Sequence, residues 1–334
     1  MDNRIEKDIK TAGIILGSTG ATAAVSYLTT RFLMKMAMDR EMPKAAQNAG
    51  NLIAGRKADD EFIQELKRTS QKLAETPNEE IEISAYDGVR LVGHYIPCEE
   101  PKRIIIAMHG WRSSWHRDFG MVSDAWKEHN CSVLYVEQRG QNNSGGEFMG
   151  FGLTERYDCV SWINWVIDHL GSELPIYLAG VSMGATTVML AAGLGLPAEV
   201  HGIMADCGFT SPDAIWKHIA MDNLHMVYGI KGMIADDLYQ KKTKETTDQY
   251  STEEALSHSD IPILFVHGSD DHFVPVTMTY DNYKACASPK HLLIVPGADH
   301  GMSYFVDKLA YERTVLDFWN KYDHYERPSK KHEI

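Results

Sequence analysis

Pro175-Ile176-Tyr177-Leu178-Ala179-Gly180-Val181-Ser182-Met183-Gly184 reads as a buried strand running into a serine turn. Its first half is an apolar run set between Pro and Gly, the form of a short strand covered on both faces in a parallel sheet. The run passes without a break into Gly180-Val181-Ser182-Met183-Gly184, a G-x-S-x-G pentapeptide, and then into the helix-compatible segment 185–194. A serine in that order sits on a tight strand-to-helix turn. Its Oγ is raised above the sheet edge, and the N–H groups of the helix start lie behind it. Gly180 and Gly184 remove the side chains that would collide where strand and helix pass. One G-x-S-x-G arises by chance in a chain of this length with a probability on the order of 0.1. The strand before it and the helix after it are what give it weight.

The neighbouring segments keep the same rhythm. Upstream, Arg103–Met108 is a buried-type strand ending at His109-Gly110-Trp111, residues 114–128 read as a helix, Cys131–Val136 as a strand, and Thr154–Leu170 as a helix. Before these, Glu80–Tyr86 alternates like a half-buried strand, Asp87-Gly88 signals a hairpin, and Val89–Pro97 returns. Downstream, the expected strands are 200–205, 261–266 and 291–295, with helices over 276–287 and 302–322. This alternation predicts an α/β chain: a mostly parallel, doubly wound sheet with an antiparallel N-terminal hairpin. Residues 210–258 interrupt it. They are Met-rich, then charged, with helical stretches near 215–226 and 252–257, and an insertion of that size above a sheet is expected to form a small helical lid. The expected organisation is a helical extension over 1–78, a catalytic domain over 79–325 carrying the lid at 210–258, and a polar tail at 326–334.

Composition narrows the function classes. The chain has 334 residues, 44 % hydrophobic and 24 % charged, which suits a globular domain with a large core. A formal charge of −13 and the lack of a basic stripe argue against nucleic-acid binding. The five cysteines are scattered and odd in number, so neither a disulfide framework nor a zinc site is expected; Cys131, Cys159 and Cys207 read as small core residues. Residues 11–30 carry no charge, and Gly13-x-x-x-Gly17 lies among them. That run suits either a membrane-associating helix or a helix packed on the protein, because its apolar residues are diluted by Gly, Ser and Thr. The chain is therefore expected in the cytoplasm, with association to a membrane through 11–30 as the open alternative.

Hydrolysis through a serine needs a base to take the proton and a third group to orient the base. In a doubly wound sheet both come from loops at the carboxyl ends of strands. Two such loops follow the serine: His267-Gly268-Ser269-Asp270-Asp271-His272-Phe273-Val274-Pro275, and Pro296-Gly297-Ala298-Asp299-His300-Gly301. The chain order is Ser, Asp, His. The tetrahedral intermediate also needs donors. The amide of Met183 is one, and the loop after Met108 is the expected source of the other.

The serine turn, the H-G-x-x-D-x-x-V-P stretch at 267–275 and Gly297-x-x-His300, taken together, resemble the α/β-hydrolase superfamily over roughly residues 80–323. Within it the chain is similar to bacterial serine hydrolases of the esterase and prolyl-oligopeptidase-like branch. That resemblance implies the α/β-hydrolase fold, with Ser182 as nucleophile, Asp271 as acid and His300 as base. Asp270 ranks second for the acid. Asp299 and His272 read as loop residues, and His267 as a hydrogen-bonded structural histidine. His109-Gly110-Trp111 resembles the family's H-G-x turn, which implies the Trp111 amide as the second oxyanion donor and His109 as a turn stabiliser. Arg139-Gly140 matches the family's R-G-x-G-x-S loop only in part and reads as structural.

The expected reaction is cleavage of a carboxylic ester in a small acyl substrate. Peptidase or amidase action, membrane-associated lipid or thioester hydrolysis, and a non-catalytic binding role are the alternatives. Trp111, Trp216, Met221, Met226, Tyr228 and Met233 are expected either to line an apolar acyl pocket or to pack the lid. No G-x-G-x-x-G, P-loop or H-E-x-x-H pattern occurs, so no nucleotide cofactor and no metal is expected.

Overall fold

The structure, a computed structural model, describes residues 23–43 and 60–325. Helix α1 spans 23–38 and α2 Asp60–Ala74. The sheet begins with β1 (Glu79–Ser84), β2 (Arg90–Ile96) and β3 (Arg103–Met108). Then come α3 (Trp115–Phe119), α4 (Ser123–Glu128), β4 (Cys131–Glu137) and α5 (Glu155–Leu170). β5 (Ile176–Val181) leads into α6 (Met183–Ala191), followed by β6 (Val200–Asp206). The insertion carries α7 (Pro212–His218), α8 (Gly229–Thr243) and α9 (Thr252–Ser257). The chain closes with β7 (Ile263–Gly268), α10 (Val276–Ala285), β8 (Lys290–Val295), α11 (Ser303–Val306) and α12 (Lys308–Tyr322).

The eight strands lie in the order β1-β2-β4-β3-β5-β6-β7-β8. β1 and β2 pair antiparallel, as do β2 and β4, and every later pairing is parallel. This is the α/β-hydrolase fold that the sequence predicts, with the N-terminal hairpin on its edge. Each core strand has both faces covered, so its residues divide by parity. Ile104 and Ile106 of β3 join one apolar cluster with Leu178, Val188 and Trp162; Ile105 and Ala107 join the other with Tyr177, Phe318 and Trp319. Arg103 is buried at the start of β3 because its guanidinium meets Asp323 at 2.7 Å and lies over the Trp319 ring.

Three helical expectations differ in detail. The helix expected over 114–128 is two, α3 and α4. At Gly120 the backbone of α2 comes so close that a Cβ would stand 2.8 Å from Ser70 N, and the chain turns there to let α2 pass. The helix expected over 302–322 is broken at Asp307, whose carboxylate caps α12 through Ala310 N at 2.9 Å. α8 is a helix the sequence pattern did not announce. It buries Gly232, Ala235 and Tyr239, two of them too small to register as an apolar stripe.

At the N-terminus, residues 11–22 of the uncharged run lie outside the described residues. Residues 23–30 begin α1, which packs on the protein: Thr30, Met34, Met36 and Met38 are buried. Among the described residues no helix is long and apolar enough to cross a membrane. The 326–334 tail lies outside the described residues.

Candidate active site

Ser182 stands between β5 and α6 with φ +56°, a conformation that L side chains rarely adopt. The glycines around it permit the turn. A Cβ on Gly184 would lie 1.9 Å from Met108 O, and one on Gly180 would lie 2.3 Å from Gly184 O. Ser182 N donates to Asp206 O at 2.8 Å, which ties the turn to β6.

The loops after β7 and β8 bring the other two residues to it. His300 Nε2 lies 2.9 Å from Ser182 Oγ, and His300 Nδ1 lies 2.7 Å from Asp271 Oδ2. Asp271 is buried. Its Oδ1 accepts from Phe273 N and Val274 N, at 2.9 and 2.8 Å. Burial opposes ionisation of this carboxyl, but the adjacent imidazoles of His300 and His267 outweigh it and hold the group well below the usual carboxylate range. With an ionised acceptor beside it, the Nδ1 of His300 carries the hydrogen. Nε2 is then free to accept from Ser182 Oγ–H.

The neighbouring candidates separate cleanly. Asp270 is exposed and accepts from Ser269 Oγ, away from His300. Asp299 joins the two loops through His272 N and His300 N. His267 is fully buried, with Nδ1 2.6 Å from Thr279 Oγ1 and Nε2 within reach of both Val274 O and Asp271 Oδ2. Two acceptors at Nε2 place its hydrogen there. His267 therefore donates to Val274 O at 2.9 Å, and the same N–H lies 3.1 Å from Asp271 Oδ2, a contact that its reading as a hydrogen-bonded structural histidine did not include.

Met183 opens α6, so its amide has no partner inside the helix. The Trp111 amide has no acceptor among the described residues. The peptide it belongs to is held from the other side: His109 Nδ1–H donates to Gly110 O at 2.8 Å. Gln138 N donates to His109 Nε2, and Asn142 Nδ2 lies 3.3 Å from it, which fixes this tautomer. Burial lowers the His109 pKa and keeps the ring neutral. Asp118 accepts from Gly110 N at 2.7 Å. The loop at 139–146 is structural, as expected: Arg139 is buried and forks onto Asp158 and Asp87.

Sequence reasoning missed what holds the Trp111 loop from above. The Trp111 indole donates to Ala37 O at 2.7 Å. Arg112, itself at φ +50°, donates to Met36 O at 2.8 Å and to Asp39 O at 2.6 Å. These are carbonyls at the C-terminal end of α1, which a cation and a donor suit. No sequence signal links residues separated by more than 70 positions.

Of the expected pocket residues, Trp111, Trp216, Met226 and Tyr228 line an apolar cavity that reaches Ser182. Met221 and Met233 do not. Both are exposed, Met221 in the wide turn over Ile219–Asn223 and Met233 on the outer side of α8. Phe151, Phe209 and Phe273 complete the cavity. Phe209 and Phe273 sit in the exit loops of β6 and β7, so strand topology alone could have named them.

Cys207, Asp271 and His300 present ligand atoms within 4.8 Å of one another. Burial holds the Cys207 thiol far above its ordinary pKa, and the carboxylate and imidazole already bind each other, so this trio is a poor metal site.

Comparison with known proteins agrees with the fold. The prolyl oligopeptidase family model matches residues 118–324. An uncharacterized protein of Bacillus subtilis, YqkD, is 25 % identical over 235 residues, 70 % of this chain and 76 % of that one. The Pyrococcus furiosus esterase Pf2001 superposes with a TM-score of 0.59 at 21 % identity, over 75 % of this chain and 95 % of the esterase. The acylaminoacyl peptidase of Pyrococcus horikoshii superposes with a TM-score of 0.58 at 16 % identity, over 78 % of this chain and 44 % of the peptidase. The chain is an α/β-hydrolase and belongs to the prolyl oligopeptidase family.

Proposed function

We propose that the protein is a serine hydrolase that cleaves carboxylic esters through an acyl-enzyme. The observation that carries this is the unbroken relay of 2.9 Å from Ser182 to His300 and 2.7 Å from His300 to Asp271. Ser182 Oγ attacks the carbonyl carbon as His300 Nε2 takes its proton. The amides of Met183 and Trp111 receive the oxyanion. His300 then gives that proton to the departing alkoxide, and Asp271 steadies the imidazolium. Water, activated by the same histidine, releases the acid. The esterase neighbour, of which this chain covers almost the whole length, supports the ester reading. Membership of the prolyl oligopeptidase family favours amide or peptide cleavage as a second reading, since the same relay serves both bonds.

Labelling of the purified protein by a fluorophosphonate probe, with mass mapping, tests this. Label confined to Ser182, and its loss with all turnover in Ser182→Ala at an unchanged melting temperature, is the expected result. Label elsewhere, or turnover retained by Ser182→Ala, would sink the proposal. A matched ester and amide of one acid then distinguishes the two bond types.

A further inference from the structure

Two cavities open onto Ser182, and they differ. One encloses about 430 Å³ and the other about 100 Å³. Trp111, Ser182 and Phe273 border both. His300 borders only the larger.

That asymmetry orients the substrate. His300 must deliver a proton to the leaving oxygen or nitrogen, so the leaving group lies on the side that His300 faces. The acyl chain takes the other side. We infer that the small cavity is the acyl site and the large one the leaving-group site, and that α1 forms the wall limiting the acyl chain. The substrate class is then a short apolar acyl group on a bulky, aryl-bearing alcohol or amine. This deepens the serine-hydrolase reading and rests on it.

The walls support both halves. The small cavity is bounded by Leu33, Met34 and Ala37 of α1 on one side and by Trp216, Ile219 and Met226 of the insertion on the other. Its polar members besides Ser182 are few: Lys231, Thr30, the Tyr228 hydroxyl, already given to Asp213 at 2.8 Å, the Trp111 indole N–H, already given to Ala37 O, and the Trp216 indole N–H. A dry cavity of about 150 Å³ holds benzene, so about 100 Å³ suits roughly two to five carbons. The large cavity falls in the range of drug-sized ligand sites. Phe62, Phe119, Trp126, Tyr304 and Tyr311 give it aromatic walls. Arg117 also lines it, exposed, its guanidinium in no hydrogen bond or ion pair among the described residues.

The bond changes balance with water alone. Ser182 Oγ bonds to the acyl carbon, the acyl–oxygen bond to the leaving group breaks, and the serine proton passes through His300 to the leaving alkoxide. Water then supplies the hydroxyl of the released acid and restores the serine proton.

A reversed pair of esters tests the orientation: 2-(2-naphthyl)ethyl butyrate against butyl 3-(2-naphthyl)propanoate. The first places the ring system on the alcohol and should be turned over with at least about 10-fold higher kcat/KM. Equal rates, or the opposite preference, would overturn the assignment. The wall is tested by an acyl series from acetate to decanoate on one alcohol. Wild type should peak near butyrate, and Met34→Ala should move the peak to longer chains by about 10-fold in relative kcat/KM. If Met34→Ala does not take the fluorophosphonate label, Ala220→Leu replaces it and should lower butyrate relative to acetate by a similar factor. An unmoved profile in a labelled variant refutes the role of α1. Absence of label on the wild type would refute the serine-hydrolase reading itself, a different outcome from label with the wrong ester preference.

Discussion

Ser182, Asp271 and His300 stand on turns that leave the ends of β5, β7 and β8, while the walls of the small cavity beside them come mostly from α1 and the insertion, outside the sheet. The turns are held by directional bonds. Asp271 accepts two backbone amides and meets two imidazoles, and Ser182 N is tied to β6. The walls are held mostly by apolar packing, in one cluster that joins Met34 and Met38 of α1 to Phe151, Phe209, Trp216 and Tyr239. Directional bonds fix atoms to a fraction of an ångström, which proton transfer needs. Apolar packing fixes volume and tolerates exchange of side chains, which suits a surface that selects substrates. Changes in the turns should therefore reach kcat, and changes in the walls should reach specificity.

The largest effect should separate two adjacent carboxylates. Asp271→Asn removes the partner that sets the His300 tautomer and should cut kcat by about 10⁴-fold, as orienting carboxylates do in such relays. Asp270→Asn, on an exposed side chain that bonds Ser269, should change kcat by less than about 3-fold. Steady-state kinetics of the two variants decides it, and the opposite ranking would move the acid to Asp270.

Arg112 crosses the boundary between turn and wall, so it sharpens the contrast. Arg112→Ala frees the α1 carbonyls from the Trp111 loop and should lower kcat by about 10- to 100-fold, less than the loss of an oxyanion donor outright and with a smaller change in KM. A change in KM alone would place Arg112 among the walls.

The smallest effects concern stability. Asp271 is held below its ordinary pKa of 3.8, so its ion pair adds stability above that pH and loses it as the pH falls further. The stability advantage of wild type over Asp271→Asn in urea should shrink between pH 5 and pH 3. Phe151→Leu, within the wall cluster, should cost about 1 kcal/mol at both pH values, because its ring packs on Trp111, Phe209 and Trp216, none of which titrates. A pH-dependent cost there would show that wall and turn are coupled.

The chain by itself determined the sheet and its serine turn. A strand buried on both faces must be a short apolar run, and a strand that turns sharply into a helix must carry small residues where the backbones cross. Both requirements are local, so Pro175–Gly184 displays them openly, and the strands flanking it do likewise. The Ser, Asp, His order follows as well, because loops at strand ends come in chain order. The tertiary structure alone decided the rest. His109 aims the Trp111 amide by holding Gly110 O, Arg112 and Trp111 reach back to carbonyls of α1, and His267 comes within 3.1 Å of Asp271. The pocket wall joins α1 to an insertion nearly two hundred residues later in the chain. Volume and contact between distant segments leave no period and no spacing in a sequence. They exist only once the core has brought those segments together.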